Sequence, residues 1–168
     1  VSCSTVGDNG SEGDAKPSAE HEISRILSNP DSATAKIKGA VLLFTAPECP
    51  LCLNYAPALA DFADSIKTTG VKAVSVVSGT YYSHRESQEF LTTHNIDMPL
   101  LMDTSYVLSR HYGAGITPEA VLIDSLGEAV YRGAIDNWAI SLGRKRLMPT
   151  EHYLRDAPGL TYESPDSH

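Results

Sequence analysis

Two cysteines separated by two residues mark the point where an apolar run gives way to a helical pattern. Cys49 and Cys52 enclose Pro50 and Leu51, shortly after the strand-like run at residues 41–45. Cysteines so placed can close a small disulfide ring, and the helix dipole and the free N–H groups of a first helical turn stabilise the thiolate of the first cysteine. The pattern therefore predicts a buried strand followed by a redox-active pair at the start of a helix.

Other uses of such a pair are open alternatives. A tetrahedral zinc site needs two more ligands, and the remaining cysteine, Cys3, lies 46 positions before Cys49 in a polar leader. A static disulfide is a second alternative, although so short a loop restricts the unfolded chain little. Thiol redox chemistry is the interpretation that the spacing favours.

Length and composition indicate one folded domain. The chain has 168 residues, of which 42% are hydrophobic and 20% are charged, which suits a single sizeable core. Its formal net charge of −8 argues against a nucleic-acid partner, because phosphate binding needs clustered Lys and Arg. The brief basic run at residues 144–146 is interpreted as a solvated loop. No apolar stretch approaches the roughly 20 residues that span a bilayer.

The first residues are polar and lack the apolar side chains that a core needs. We expect a flexible tether at residues 1–19, a folded domain at residues 20–157 and a loose tail at residues 158–168. The opening Val1-Ser2-Cys3 resembles the end of a bacterial lipoprotein signal. This resemblance implies that Cys3 is a lipidated membrane tether and that the protein is located in the bacterial cell envelope, in the periplasm or on a membrane. An idle thiol at an arbitrary boundary is the alternative.

Hydrophobic periodicity predicts alternating helices and strands followed by a hairpin. Asp124 and Gly127 suit a tight turn between the last two strands. This order indicates an α/β protein in which parallel crossover units are followed by antiparallel strands. The predicted helices are residues 20–27, 51–67, 83–94 and 104–112, the predicted strands are residues 41–45, 71–77, 99–102, 119–123 and 128–132, and residues 149–156 have a helix-like opening.

These features together resemble the thioredoxin-like superfamily over residues 40–133. The likeness rests on the strand, the Cys-x-x-Cys pair at a helix start, Pro57 within that helix, and Gly115-Ile116-Thr117-Pro118 before a hairpin strand. Residues 90–124 resemble the redoxin (AhpC/TSA) or TlpA-like branch, and residues 131–137 and 152–157 resemble redoxin domains of bacterial envelope proteins. The resemblance implies a thioredoxin-like fold with a central mixed β-sheet flanked by helices and a C-terminal antiparallel hairpin.

The resemblance also implies roles for individual residues. Cys49 matches the exposed nucleophile, Cys52 the resolving thiol, and Pro118 a cis proline that faces the pair and presents the backbone of Thr117 to substrate. The implied activity is thiol–disulfide exchange on disulfides of envelope proteins or small molecules, with an upstream thiol reductant or oxidant as partner and no cofactor or metal. The direction of exchange is open. The other predicted substrate-binding residues are Glu48, Pro50 and Leu51.

Three positions depart from the thioredoxin pattern. Glu48 replaces the tryptophan before the first cysteine, Thr45 replaces an aromatic residue, and Leu43 occupies the position of the buried acid that assists proton transfer. The charge of Glu48 is expected to raise the pKa of Cys49 and so to oppose its activation. Glu48 is interpreted either as tuning the pair or as an ordinary solvated residue.

Three other functions are weighed against disulfide exchange. A peroxiredoxin-like thiol peroxidase would have Thr or Ser where Ala46 stands. A Sco-like copper carrier would space its cysteines by three residues and use a distant histidine. A redoxin fold that has lost its catalysis and acts as a binding module is the third alternative. For the copper alternative, the sequence does not mark out any of four histidines as the distant ligand: His84, His94, His111 and His152.

Overall fold

The computed structural model describes residues 18–28, 37–141, 144–158 and 160. Helices and strands alternate along the chain before a hairpin and a C-terminal extension. In chain order the elements are α1 (Ala19–Leu27), β1 (Gly39–Phe44), α2 (Pro50–Ser65), β2 (Val71–Ser78), α3 (His84–Thr93), β3 (Leu100–Asp103), α4 (Val107–Tyr112), β4 (Glu119–Asp124), β5 (Ala129–Gly133), β6 (Ala139–Ser141) and β7 (Arg144–Lys145).

The main sheet has five strands in the order β3-β2-β1-β4-β5. Strand β1 runs parallel to β2, which runs parallel to β3, whereas β4 is antiparallel to both β1 and β5. Central strand β1 is buried along its whole length, as its unbroken apolar run predicts. The predicted thioredoxin-like mixed sheet is confirmed.

The turn between β4 and β5 depends on the two residues singled out in the sequence. Asp124 Oδ1 accepts hydrogen bonds from the backbone N–H groups of Leu126 (2.8 Å) and Glu128 (3.0 Å). Gly127 has a φ of 88°, a conformation that glycine adopts without steric cost. The predicted hairpin is therefore confirmed together with its turn chemistry.

Helices pack on both faces of the sheet because successive residues of β1 point to opposite sides. Val41 and Leu43 join a hydrophobic cluster with side chains of α2 and α3 and with Ile135, Leu154, Ala157 and Leu160. Leu42 and Phe44 join a second cluster with α1 and α4. The site described below lies where β1 ends, at the edge of these two layers.

Two expectations for the last part of the chain are wrong. Residues 153–156 form turns rather than a helix. The N–H of Leu154 donates instead to the carbonyl oxygen of Ile135 at 3.0 Å, and Pro158 disfavours a helical conformation for the residue before it. The basic run is not wholly a loop either, because β7 pairs with β6 in a two-stranded sheet.

The predicted domain boundaries stay a prediction. Most of the expected tether, residues 1–17, lies outside the described residues, as do residues 161–168 of the expected tail. Cys3 is among them. Helix α1 begins at Ala19, within the range assigned to the tether, and Ser18 caps it by accepting a hydrogen bond from the N–H of His21.

Candidate active site

The loop from β1 to α2 is anchored to the neighbouring strand. The N–H of Thr45 donates to the carbonyl oxygen of Val76 at 3.0 Å, and the buried hydroxyls of Thr45 and Ser75 form a hydrogen bond at 2.9 Å. The N–H of Cys49 then closes a turn on the carbonyl oxygen of Ala46 at 3.1 Å. Thr45, which stands where thioredoxins have an aromatic residue, thus ties the loop down by polar contacts.

Cys49 occupies the N-cap of α2 and is half-buried. Pro50 begins the helix, where its missing N–H leaves no hydrogen bond unmade. The thiol donates to the carbonyl oxygen of Thr117, with Sγ and O 3.4 Å apart. The first cysteine is therefore accessible and lies directly against the loop that precedes β4.

The pKa of the Cys49 thiol lies below its ordinary value. Burial opposes ionisation, but hydrogen bonds from the Thr117 side chain, from the thiol of Cys52 and from the backbone of Cys52 and Leu51 outweigh it. The net direction is opposite to the one expected from the charge of Glu48, because local hydrogen bonds decide it. Cys49 therefore has an increased thiolate fraction near neutral pH.

Cys52 has the opposite environment. It is completely buried and packs in the same cluster as Leu43 and Leu59. Burial, followed by the charge of Cys49, raises the pKa of the Cys52 thiol to about 12. The two thiols are free and interact by a hydrogen bond, so the pair joins one reactive sulfur to one protected sulfur.

The predicted proline faces this pair. The peptide bond between Thr117 and Pro118 is cis, as the resemblance implies. The loop before it is supported by Glu119, a 7% exposed carboxylate that accepts from the N–H of Gly115 at 3.0 Å. Glu119 was missed by sequence reasoning, because a strand residue that supports the loop before it has no local signal.

The other predicted substrate-binding residues surround the thiol at the surface. Glu48 and Pro50 are exposed, and Leu51 is 37% exposed. Glu48 lies close to Tyr82. Burial is the main cause that raises the pKa of the Tyr82 phenol, and the negative charge of Glu48 is the second. These residues are accessible beside Cys49, and their role in binding stays a prediction.

A buried polar group behind the pair was also missed. Asp136 Oδ1 accepts from the hydroxyl of Tyr55 at 2.6 Å and from the N–H of Trp138 at 2.8 Å. The rings of Tyr55 and Trp138 meet edge to face with centroids 5.1 Å apart. Tyr55 follows Cys52 by three residues on α2, so these contacts fasten the cysteine-bearing helix to the C-terminal extension. The position of Leu43 is apolar and buried, as expected from its identity.

Metal-binding clusters and membrane-spanning helices are both absent from the described residues. No group of three or more His, Cys, Asp or Glu side chains within them is arranged to hold a metal ion. None of the helices among these residues combines the length and the apolarity that crossing a membrane requires.

The sequence is similar to those of known proteins over a large part of its length. The profile of the AhpC/TSA family matches residues 23–132. Methylamine utilization protein MauD of Paracoccus denitrificans is 30% identical over 122 residues, which cover 68% of this chain and 54% of that protein. The chain spans about half the length of the curated relatives it matches.

Solved structures show the same fold. Hypothetical protein SMc02350 of Sinorhizobium meliloti 1021 has a TM-score of 0.58 at 24% identity, covering 65% of this chain and 62% of that one. The exposed lipoprotein thioredoxin Etrx1 of Streptococcus pneumoniae strain TIGR4 has a TM-score of 0.51 at 23% identity, covering 66% of this chain and 77% of that one. Both likenesses support the fold of the sheet and its helices.

Proposed function

The chain belongs to the AhpC/TSA family, and from this premise we propose that it is a thiol–disulfide oxidoreductase that uses Cys49 and Cys52. The observation that carries the proposal is the asymmetry of the pair. Cys49 is half-exposed with a lowered pKa, whereas Cys52 is buried with a raised pKa. An attacking thiol needs access and thiolate character, and a resolving thiol needs to be shielded from competing partners.

The proposed reaction is a two-step exchange. The Cys49 thiolate attacks one sulfur of a substrate disulfide, the substrate S–S bond breaks, and one substrate thiol leaves after taking up a proton. Cys52 then loses its proton and attacks the sulfur of Cys49 in the mixed disulfide. The second substrate thiol leaves, the substrate has gained two electrons, and Cys49 and Cys52 are joined by a disulfide. Run in reverse, the same steps oxidise a substrate dithiol.

The loop at Thr117 supports substrate binding in this scheme. The Thr117 carbonyl oxygen already contacts the attacking sulfur at 3.4 Å. An extended substrate segment beside this loop would bring its own sulfur to the same place by short strand-like pairing. We infer that Thr117 and Pro118 position substrate and that the accessible Glu48, Pro50 and Leu51 form the surrounding surface.

Because the pKa of Cys52 is raised, the second step is the one whose rate should depend most on pH. Leu43 cannot accept a proton from Cys52, so its deprotonation has no buried acid to assist it at that position. We infer that resolution of the mixed disulfide becomes faster as pH rises, because the thiolate fraction of Cys52 then increases.

Exchange kinetics test the proposal directly. Reduced protein is mixed with insulin, and disulfide reduction is followed for the wild type, Cys49→Ser and Cys52→Ser. We expect Cys49→Ser to show only the uncatalysed rate and Cys52→Ser to accumulate a mixed disulfide that mass spectrometry detects. Undiminished catalysis by Cys49→Ser would refute the assignment. Rapid hydrogen-peroxide turnover that persists in Cys52→Ser would favour a thiol peroxidase instead.

Cellular location and partners extend the same proposal. We infer substrates among envelope proteins and an upstream thiol partner that restores the pair after each turnover. A lipid tether through Cys3 stays a prediction, because Cys3 lies outside the described residues. Fractionation of cells producing the full-length protein or its Cys3→Ser variant tests it, and an equal distribution of the two proteins would remove the tether from the proposal.

A further inference from the structure

A cavity of about 540 Å³ opens beside the loop from β1 to α2, which leads to Cys49, at the edge of the sheet where β1 and β2 end. Helix α4 and the segment from Gly113 to Thr117 complete its walls. Its volume lies in the range of pockets that bind small organic groups. Its lining includes Tyr82, Tyr106, Ser109, Arg110, Ile116 and Thr117.

The cavity adjoins the reactive sulfur. Thr117 lines it and at the same time contacts the Sγ of Cys49 through its carbonyl oxygen. Tyr82, on another wall, is close enough to Cys49 and Glu48 for both charges to raise the pKa of its phenol, after burial as the main cause. A group bound in the cavity would therefore lie next to a disulfide that is under attack by Cys49.

Two hydrogen-bond donors in the walls of the cavity, the Ser109 hydroxyl and the Arg110 guanidinium, have no acceptor among the described residues. Ser109 is 7% exposed, and its Oγ has no hydrogen-bond partner in the described part of the chain. A buried hydroxyl left unpaired costs free energy that a ligand acceptor can recover. The Arg110 guanidinium lies 5.5 Å from the ring centroid of Tyr106, and no carboxylate of the described residues lies within 4 Å of it.

Two buried carboxylates, those of Asp103 and Glu119, are both engaged elsewhere and do not neutralise Arg110. Asp103 accepts from the backbone N–H groups of residues 107–109. Glu119 is engaged below the loop, where it accepts from the N–H of Gly115 at 3.0 Å and lies 3.9 Å from the guanidinium of Arg132. The positive charge at the cavity thus stays available. The other walls are largely apolar, with Phe44, Val76 and the 68% exposed Ile116 among them.

We propose that this cavity is a substrate subsite for an apolar group that carries a carboxylate, close to the disulfide that Cys49 attacks. The apolar part packs against Tyr82, Tyr106 and Ile116, and the carboxylate accepts hydrogen bonds from Arg110 and Ser109. The charge of Glu48, which lies close to Tyr82, disfavours a carboxylate at that wall and so disfavours the reverse orientation. The carboxylate can belong to a low-molecular-weight disulfide or to an acidic residue beside a substrate cysteine. This inference deepens the proposed function and rests on it.

Matched substrates test the subsite. Two peptide disulfides differ only by Glu or Gln beside the cysteine, and cystine is compared with its dimethyl ester. For wild type we expect kcat/KM to be about tenfold higher with the carboxylate form, the effect of one charge-assisted hydrogen bond. A preference confined to the cystine pair identifies a small-molecule source, and a preference confined to the peptides identifies an acidic residue.

Variants separate this subsite from a general charge effect. Arg110→Gln should lose the preference by lowering kcat/KM for the carboxylate substrates alone, and Ser109→Ala should reduce the preference by a few-fold. Arg85→Gln is the matched control, because Arg85 is an exposed arginine on α3 that does not line the cavity. An equal loss of preference in Arg85→Gln would overturn the proposal.

A binding measurement keeps the subsite testable apart from catalysis. In NMR spectra of wild-type protein, 3-phenylpropanoate should shift the amide signals of Ser109, Arg110 and Thr117, and its uncharged amide should not. Shifts that are lost in Arg110→Gln support the subsite even if no disulfide exchange is found. Exchange without either a charge preference or these shifts leaves the proposed function intact and refutes the subsite.

Discussion

The two faces of the five-stranded sheet are closed by contacts of different range. The reactive face is covered by α2, α3 and the later residues Ile135, Leu154, Ala157 and Leu160. On this face the hydroxyl of Tyr55 donates to Asp136, 81 residues away in sequence. On the opposite face, covered by α1 and α4, the carboxylate of Asp103 accepts from the N–H groups of residues 107–109, four to six positions further on. The helix that carries the chemistry thus depends on residues that come much later in the chain.

This difference indicates the order in which the faces are completed. Short loops close at a lower entropic cost than long ones, so α4 can form on β3 as soon as both are present. The position of α2, by contrast, is fixed by contacts with residues that follow β5, including Asp136 and Trp138. We expect the surroundings of Cys52 to be completed last and to open first.

The largest effects should come from truncating one fully buried leucine on each face. Leu59 is 1% exposed on the reactive face and Leu108 is 0% exposed on the opposite face. Each change to alanine should lower the free energy of unfolding by about 2–5 kcal/mol in urea titrations. Only Leu59→Ala should also accelerate the labelling of Cys52 by iodoacetamide in native protein. Equal acceleration by Leu108→Ala would show that the two faces open as one unit.

Replacing one buried carboxylate on each face by an amide, Asp103 on the opposite face and Asp136 on the reactive face, should show which contributes more to stability. Asp103 uses both oxygens, with Oδ1 accepting from Val107 at 2.6 Å and Oδ2 from Ser109 at 2.9 Å. Asp136 uses Oδ1 alone for both of its hydrogen bonds. We expect Asp103→Asn to cost about 2 kcal/mol and Asp136→Asn about 1 kcal/mol, because the latter keeps its accepting oxygen. Thermal unfolding measures both, and the reverse ranking would contradict this reading of the two sites.

Alkaline pH should destabilise the reactive face before the opposite face. Burial raises the pKa of Cys52 from 9.0 to about 12 and that of Tyr112, on the opposite face, from 10.0 to about 12. For an acid whose pKa is raised by folding, stability is complete below the ordinary pKa and falls as pH rises toward the folded value. In a Cys49→Ser background, ionisation of Cys52 should therefore lower the stability by about 1 kcal/mol between about pH 9 and pH 10, since one proton corresponds to about 1.4 kcal/mol per pH unit.

The control for this pH dependence is the removal of Cys52. The double variant Cys49→Ser/Cys52→Ala should decline by about 1 kcal/mol less over this pH range, and its remaining decline should come from tyrosines whose pKa is raised, Tyr55 and Tyr112 among them. Urea unfolding at closely spaced pH values makes the comparison. An unchanged decline in the double variant would mean that Cys52 is not the group responsible.

The smallest effect on cysteine reactivity should come from the edge where the faces meet. The hydroxyls of Thr45 and Ser75 are partners in a buried hydrogen bond of 2.9 Å. Thr45→Val should cost about 1 kcal/mol by leaving Ser75 unpaired, and adding Ser75→Ala should restore part of that loss. Iodoacetamide labelling of Cys49 should stay within about twofold of wild type, whereas a large change would give this bond a direct role in the site.

Sequence reasoning found the parts of the site that have local signals. The apolar run of β1, the Cys49–Cys52 spacing and the turn at Asp124 and Gly127 each follow from short-range chemistry. The resemblance to thioredoxin-like proteins added the cis bond before Pro118, which the structure shows. Their placement follows because residues in a short motif keep their spacing in the folded chain.

The remaining contacts join residues that are far apart in sequence. Nothing near Tyr55 indicates that its hydroxyl will meet Asp136, and nothing near Ser109 indicates a cavity beside Thr117. The same limit explains the error at residues 149–156, where a helix-like opening lost to a hydrogen bond between Leu154 and Ile135. Local preference is weak compared with tertiary packing at such positions.

The pairing of β1 with β4 has a consequence for how this site tolerates genetic change. Phe44 and Glu119 are partners in that pairing; Cys49 lies five residues beyond the first, and Thr117 two residues before the second. The meeting of thiol and carbonyl is therefore a property of strand register. A substitution along β4 leaves that alignment in place, whereas deleting one residue there would shift the register and turn each side chain to the other face. Lineages carrying this site should accumulate replacements along β4 but not changes in its length.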